Sequence, residues 1–199
     1  MSDTIPFSSL IARVRQGDAQ AAADLIRRYE PELRVMARVR LTDPGLRRVM
    51  DSIDICQSIL ANFFVRIRAG QFDLETPDQL LKLLATMIRN KVRNHVRDQR
   101  AGRRDQRRLV DVAADEIDVA ACQETPSQIV VAQELEQRCQ GRFSAEEREV
   151  IDRRVDGQSW DEIAAALGSS PDAVRKKMAR AVNRVVREVG LDEENLDAD

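Results

Sequence analysis

An all-α protein of two small helical domains joined by a flexible linker, the second domain holding a helix-turn-helix, is predicted by three observations. Apolar residues recur at a spacing near 3.6 wherever a pattern is visible. Helix caps punctuate the chain repeatedly. Gly and Pro are scarce, at 8 and 6 of 199 residues, while 33% of the side chains are charged and 4% aromatic, a composition suited to helices. A chain of this length holds one domain or two small ones with barely sufficient cores.

The first block runs from about Phe7 to Arg100. Ser9 to Gln16 starts a short helix, and Gly17-Asp18 breaks it. From Asp18 to about Leu41, Ala22, Leu25, Ile26, Tyr29, Leu33, Met36 and Val39 form an inner stripe; Pro31 inside it should kink or split the helix. TDPGLRRVM reads as a loop. Asp51 and Asp54 open the helix DSIDICQSILANFFVRIRAG, closed by Gly70. Thr76, Pro77 and Gln79 supply a cap, a first-position proline and the reciprocal cap of a long helix to about Arg100.

Between Ala101 and Glu124 the periodicity fades into a linker. Thr125-Pro126-Ser127-Gln128 is another capping box, opening helices at about Pro126–Gln140, Ala145–Asp156, Trp160–Leu167 and Pro171–Val189. The last two carry the strongest local signal. Ser159 with Glu162 caps the first, whose inner face is Ile163, Ala164 and Leu167, and Gly168 ends it. Ser170 and Pro171 start the second, with Val174, Met178, Ala181 and Val185 inward and Arg175, Lys176, Lys177 and Arg180 outward or at the edges. This is a helix-turn-helix, whose second helix normally enters the major groove; the bland alternative is a helical hairpin with a solvated basic face. The expected domains are residues 1–100 and 125–190, with a linker at 101–124 and an acidic tail at 191–199.

Charge narrows the function further. The net charge is −2, unusual for a DNA binder, but it is segregated. Ile88 to Arg108 and Arg175 to Arg187 are basic, whereas Asp111 to Asp118 and the tail GLDEENLDAD are acidic. Long-range attraction to DNA is therefore weak while two local patches remain, which suits a protein that reads DNA after a larger partner has positioned it. No apolar run approaches membrane-spanning length and the N-terminus lacks a signal-peptide pattern, so a cytoplasmic location without membrane insertion is expected. Cys56, Cys122 and Cys139 are far apart and without CxxC spacing, as expected of reduced thiols. The single histidine, His95, has no cysteine, serine or carboxylate constellation beside it. We therefore expect no metal, no cofactor and no catalytic residues.

Two segments together resemble a known family. Asp54-Ile55-Cys56-Gln57-Ser58-Ile59-Leu60 and Arg89-Asn90-Lys91-Val92-Arg93-Asn94-His95-Val96-Arg97 are similar to region 2 of bacterial RNA polymerase sigma factors of the extracytoplasmic-function (ECF) group, in the sigma-70 family. Ser159-Trp160-Asp161-Glu162-Ile163-Ala164 to Leu167-Gly168, followed by Ala173-Val174-Arg175-Lys176-Lys177-Met178-Ala179-Arg180-Ala181, resembles their region 4. Many regulators share the second pattern; both blocks in this order and at this gap are more specific. The resemblance implies a sigma factor that binds core RNA polymerase, directs it to −10/−35 promoters and helps open the duplex. The alternative is a stand-alone helix-turn-helix regulator of duplex operator DNA; a pure interaction module such as an anti-sigma adaptor is a third class.

The resemblance also assigns residues. Asp54, Gln57, Asn62 and Arg66 would dock from one exposed helix side onto the β′ clamp, with the β flap as a second contact on the polymerase and an anti-sigma factor as a further conceivable partner. From the residues alone, Asp54 would simply favour its helix N-terminus and Gln57 would be solvated. Phe72, Lys82, Arg89, Asn90, Lys91, Arg93, Asn94 and Arg97 would meet the −10 element, arginines on phosphate and asparagines at base edges. A charge run is also commonly just a solvated face. Relatives tend to carry Trp and Tyr early in this helix, where Leu83 and Ala85 stand here, so base stacking would fall to Phe72, itself more often a core residue. Ser170, Asp172, Ala173, Arg175 and Lys176 would read the −35 element, with Arg180 and Arg184 on phosphate. Asp172 has the alternative role of a helix-dipole carboxylate. The acidic linker is either a spacer or a mimic of RNA phosphates in the polymerase.

Overall fold

The computed structural model describes residues 5–41, 51–102, 138–139 and 141–191, with side chains described up to residue 97 in the second of these stretches. The described residues form seven helices and no strand: α1 Phe7–Arg15, α2 Ala19–Arg40, α3 Ser52–Arg68, α4 Pro77–Gly102, α5 Ala145–Val155, α6 Trp160–Ala166 and α7 Pro171–Glu188. The helix expected at Pro126–Gln140 and the acidic linker and tail lie outside these residues, apart from helical Arg138 and Cys139 and the first tail residue, Leu191.

Caps place the starts of α2, α4, α5 and α6 where the sequence indicates, whereas α1 starts at Phe7, ahead of the expected Ser9, with no side-chain cap. The Asp18 carboxylate accepts from the Gln20 and Ala21 amides and so caps α2. Glu75 and Thr76 amides donate to Gln79 Oε1, while the Gln79 amide donates to Thr76 Oγ1. Ser144 with Glu147, and Ser159 with Glu162, form complete capping boxes on α5 and α6. Backbone and hydroxyl donors at Ser159 hold the Glu162 carboxyl below its usual range.

α2 runs unbroken through Pro31, so a split helix is not found. Leu25, Ile26, Tyr29, Leu33 and Ala37 flank the proline on the buried side, and their packing outweighs a backbone penalty of about 3 kcal/mol. Pro31 itself is exposed. The expected inner stripe is corrected at two places: Val39 is exposed, and Leu167 lies exposed in the turn after α6.

Two clusters of buried side chains organise the chain. The first joins α1 to α4 and centres on Leu25, Leu33, Ile55, Ile59, Phe63, Leu84 and Ile88, with α2 packed on the other three helices. Cys56 lies in this cluster, where burial pushes its thiol up to about 12. The second joins α5, α6 and α7 through Val150, Trp160, Ile163, Val174, Met178, Val182 and Val185, and also takes in Val65 and Ala69 of α3. The C-terminal helices therefore sit directly on one side of α3.

Gly70 fits that junction sterically. It ends α3 with φ +69°, and a Cβ there would stand 2.9 Å from Cβ and Cγ of Arg154 on α5. Gly168, with φ +60° in the turn between α6 and α7, has open space around it. Gly168→Ala should therefore carry left-handed backbone strain alone, roughly 1–2 kcal/mol, whereas Gly70→Ala adds a collision with Arg154. Urea denaturation of both variants should show the larger loss for Gly70→Ala; equal losses would mean Arg154 is not held against Gly70.

Candidate nucleic-acid and polymerase interfaces

On α4, Lys82, Thr86, Arg89, Arg93 and Arg97 recur at intervals of three or four residues and so share one helix face. The four basic residues of this stripe are exposed, and the opposite face holds buried Leu80, Leu84, Met87 and Ile88. Thr86, which the sequence patterns do not single out, lies mid-stripe and donates to the Lys82 carbonyl at 2.9 Å. The other −10 candidates sit differently. Asn90 is only 7% exposed, which corrects the expectation of a base-reading side chain open to solvent: its place on the helix borders the core face. Lys91 is half-buried and its Nζ donates to Ser58 Oγ of α3. Asn94 and His95 are half-exposed. Phe72 stacks on buried Phe63, with centroids 6.3 Å apart and planes at 7°, which commits one face of its ring to the core. Leu83 also packs against that core.

The second basic surface is the helix-turn-helix. The turn closes with the Ser169 amide donating to Ala164 O at 2.9 Å and the Gly168 amide to Ala165 O at 3.4 Å. Ser170 Oγ caps α7 by accepting from the Ala173 amide at 3.2 Å, so this hydroxyl is already engaged. Val174, Met178, Ala181, Val182, Val185 and Val186 are buried. Ser170, Asp172, Ala173, Arg175, Lys176 and Arg180 are all exposed. Asp172 lies in the first turn, 3.9 Å from Arg175, an exposed pairing worth little. Arg180 Nε donates to the Lys176 carbonyl.

Arg184 differs from the other −35 candidates. Its guanidinium contacts Glu147 at 2.8 Å and Glu188 at 3.3 Å and donates to the Arg142 carbonyl. It ties α7 to the capped start of α5, which makes it a scaffold residue in this arrangement. Lys177 pairs with Glu146 at 2.7 Å; that hydrogen bond raises the lysine and lowers the glutamate.

The polymerase-docking candidates lie on α3, and here the structure corrects the expected exposure. Asp54 and Gln57 are exposed. Asn62 is 0% exposed and Arg66 3%. Asn62 Nδ2 donates to the carbonyl of Leu191, just beyond α7, at 3.2 Å. Arg66 donates from Nε to Asn62 Oδ1 and from Nη1 to Gln71 Oε1. The cause is the seating of the C-terminal helices over Val65 and Ala69, which share this face with Asn62 and Arg66.

The same seating brings together residues with no local sequence signal. Arg154 of α5 is 5% exposed. Its Nη2 pairs with Asp73 from the loop before α4, its Nη1 donates to the Gln158 carbonyl, and its guanidinium lies 4.7 Å from the Trp160 ring centroid. Arg15 of α1 also approaches Asp73, at 3.5 Å, and donates to the Phe72 carbonyl. Burial and the neighbouring Arg154 charge hold Arg15 below the usual arginine range.

Among the described residues there is no cluster of His, Cys, Asp or Glu able to hold a metal, and no helix is long and apolar enough to cross a membrane. No curated protein and no solved structure gives a significant match. The family model described as ECF sigma factor matches residues 5–190, a span that includes all seven helices and both basic surfaces. The chain belongs to the ECF sigma factor family.

Proposed function

We propose that this sigma factor, a protein that directs RNA polymerase to promoters, divides the work between its two groups of helices. α3 docks on the β′ clamp, α4 engages the −10 element as the duplex opens, and α7 reads the −35 element with the C-terminal helices seated near the β flap. The observation that carries this reading is the exposed basic stripe of α4, Lys82, Arg89, Arg93 and Arg97, in addition to the helix-turn-helix. A regulator binding duplex DNA alone needs the helix-turn-helix only. Four cations along one helix face match a phosphate backbone, and Thr86 among them adds a hydroxyl.

The near-neutral net charge supports dependence on a partner. With a Debye length of about 8 Å at physiological salt, the two basic surfaces act only at close range. The free protein should bind promoter duplex no better than ordinary non-specific binding, roughly 10⁻⁴–10⁻⁶ M. Adding core polymerase should create specific binding and run-off transcripts. Nanomolar specific binding by the free protein, indifferent to polymerase, would instead identify a stand-alone regulator.

Along α7, residues near the N-terminal end reach base edges and later ones lie against phosphate. On this reading Arg175 pairs with guanine in bidentate fashion, a geometry worth about 1–3 kcal/mol of discrimination; its exposure near the start of α7 supports this. Asp172, in the first turn and beside Arg175, is better suited to the helix dipole than to a base. Arg175→Ala should relax preference at one or two −35 positions. Arg180→Ala should weaken all promoters alike and reduce the salt slope by about one. Transcription from a library of −35 variants checks this, and a uniform loss from both substitutions would contradict the division.

A further inference from the structure

One uncharged side chain interrupts the basic stripe of α4. Thr86 is half-exposed, with exposed Lys82 one turn before it and exposed Arg89 one turn after. Ala85, also half-exposed, lies beside it on the same side of the helix. The two long cations therefore flank a low stretch where the helix can approach a base pair closely. Thr86 Oγ1 donates to the Lys82 carbonyl at 2.9 Å. A threonine hydroxyl has one hydrogen and two acceptor lone pairs, so with its hydrogen committed this group faces outward as an acceptor alone. We infer that Thr86 is a specificity-determining residue that accepts a hydrogen bond from an exocyclic amino group, adenine N6 or cytosine N4, at one position of the −10 element. The inference rests on the reading of α4 as the helix that meets that element.

The polarity of the hydrogen bond decides which bases fit. On the major-groove edge adenine N6 and cytosine N4 donate, whereas guanine O6 and N7 and thymine O4 accept. An acceptor held by the helix is matched by the first pair and opposed by the second. A freely turning hydroxyl would meet either kind, and turning this one gives up its bond to Lys82. The neighbouring residues leave this task to Thr86. Asn90 is 7% exposed, bordering the core face. Lys82, Arg89 and Arg93 are long cations suited to phosphate, and phosphate contacts position a protein without carrying sequence information. Helix stability alone favours other residues here, since threonine is β-branched and its bond to the carbonyl four residues back slightly destabilises a helix.

Holoenzymes assembled from core polymerase and the full chain test this on promoters randomised through the −10 element. The wild-type chain should prefer adenine or cytosine at one position by about fivefold, the scale of one neutral hydrogen bond. Thr86→Val keeps the shape and loses the oxygen, so that preference should vanish. Thr86→Ser keeps a hydroxyl able to bond the same carbonyl and should retain it. Base analogues then separate the two sources of the amino group. Purine in place of adenine, or a pyrimidinone lacking N4 in place of cytosine, should cost the wild type about fivefold and Thr86→Val nothing. A preference that survives in Thr86→Val, or a preference for guanine or thymine that is lost there, overturns the inference. Arg93→Ala tests the underlying reading and should weaken transcription from all these promoters alike. If it does so while Thr86→Val changes no base preference, the inference alone falls. If both variants leave transcription untouched, the reading of α4 falls with it.

Discussion

A guanidinium that has left water must find charge and hydrogen bonds inside the protein, and Arg154 finds them across the boundary between the two groups of helices. Its pairing with Asp73, its bond to the Gln158 carbonyl and its place over Trp160 fix α5 and the start of α6 against the end of α3. Removing one partner of a buried pair generally costs more than the pair contributes, so this contact constrains its neighbours. Gly70 must be small and left-handed beside it, and the loop carrying Phe72 and Asp73 is held from the other side by Arg15. The accessibility of α3 follows from the same contact.

The basic residues of this chain fall into two physical classes that composition alone merges. Arg13, Arg34, Arg66, Arg154 and Arg184 are engaged by carboxylates or amide oxygens of the chain and serve the scaffold. Lys82, Arg89, Arg93 and Lys176 stand exposed on two helices, where lost hydration is small and phosphate can replace bound counterions. A net charge near zero is therefore compatible with two exposed basic surfaces, because several other cations are engaged within the fold.

Most of the fold was legible because its determinants are local. Capping residues such as Asp18, Thr76, Ser159 and Ser170 bind amides two or three positions away, so helix starts can be read from adjacent letters. The inner stripe of α7 follows equally from spacing. What local sequence did not show is non-local. Pro31 does not split α2 because packing on α1, α3 and α4 holds both flanks. Asn62 and Arg66 are buried by helices about a hundred residues further on, and Asn90 by the core beneath α4. Nothing near Asp73 in sequence indicates Arg154. The family pattern assigns docking residues to α3 but carries no information about the burial of Asn62 and Arg66.

The central claim is that the Arg154–Asp73 contact seats the C-terminal helices on α3, and intramolecular energy transfer tests it most directly. Exposed Glu75 and Asp161 lie on the two sides of the junction, so each can be replaced by cysteine and labelled once Cys122 is changed to serine. Cys56 and Cys139 are buried with thiols pushed up by desolvation and should stay unlabelled. The account predicts high transfer in the wild-type protein and a marked fall in Asp73→Asn. Low transfer in the wild-type protein, or high transfer that persists in Asp73→Asn, would contradict it.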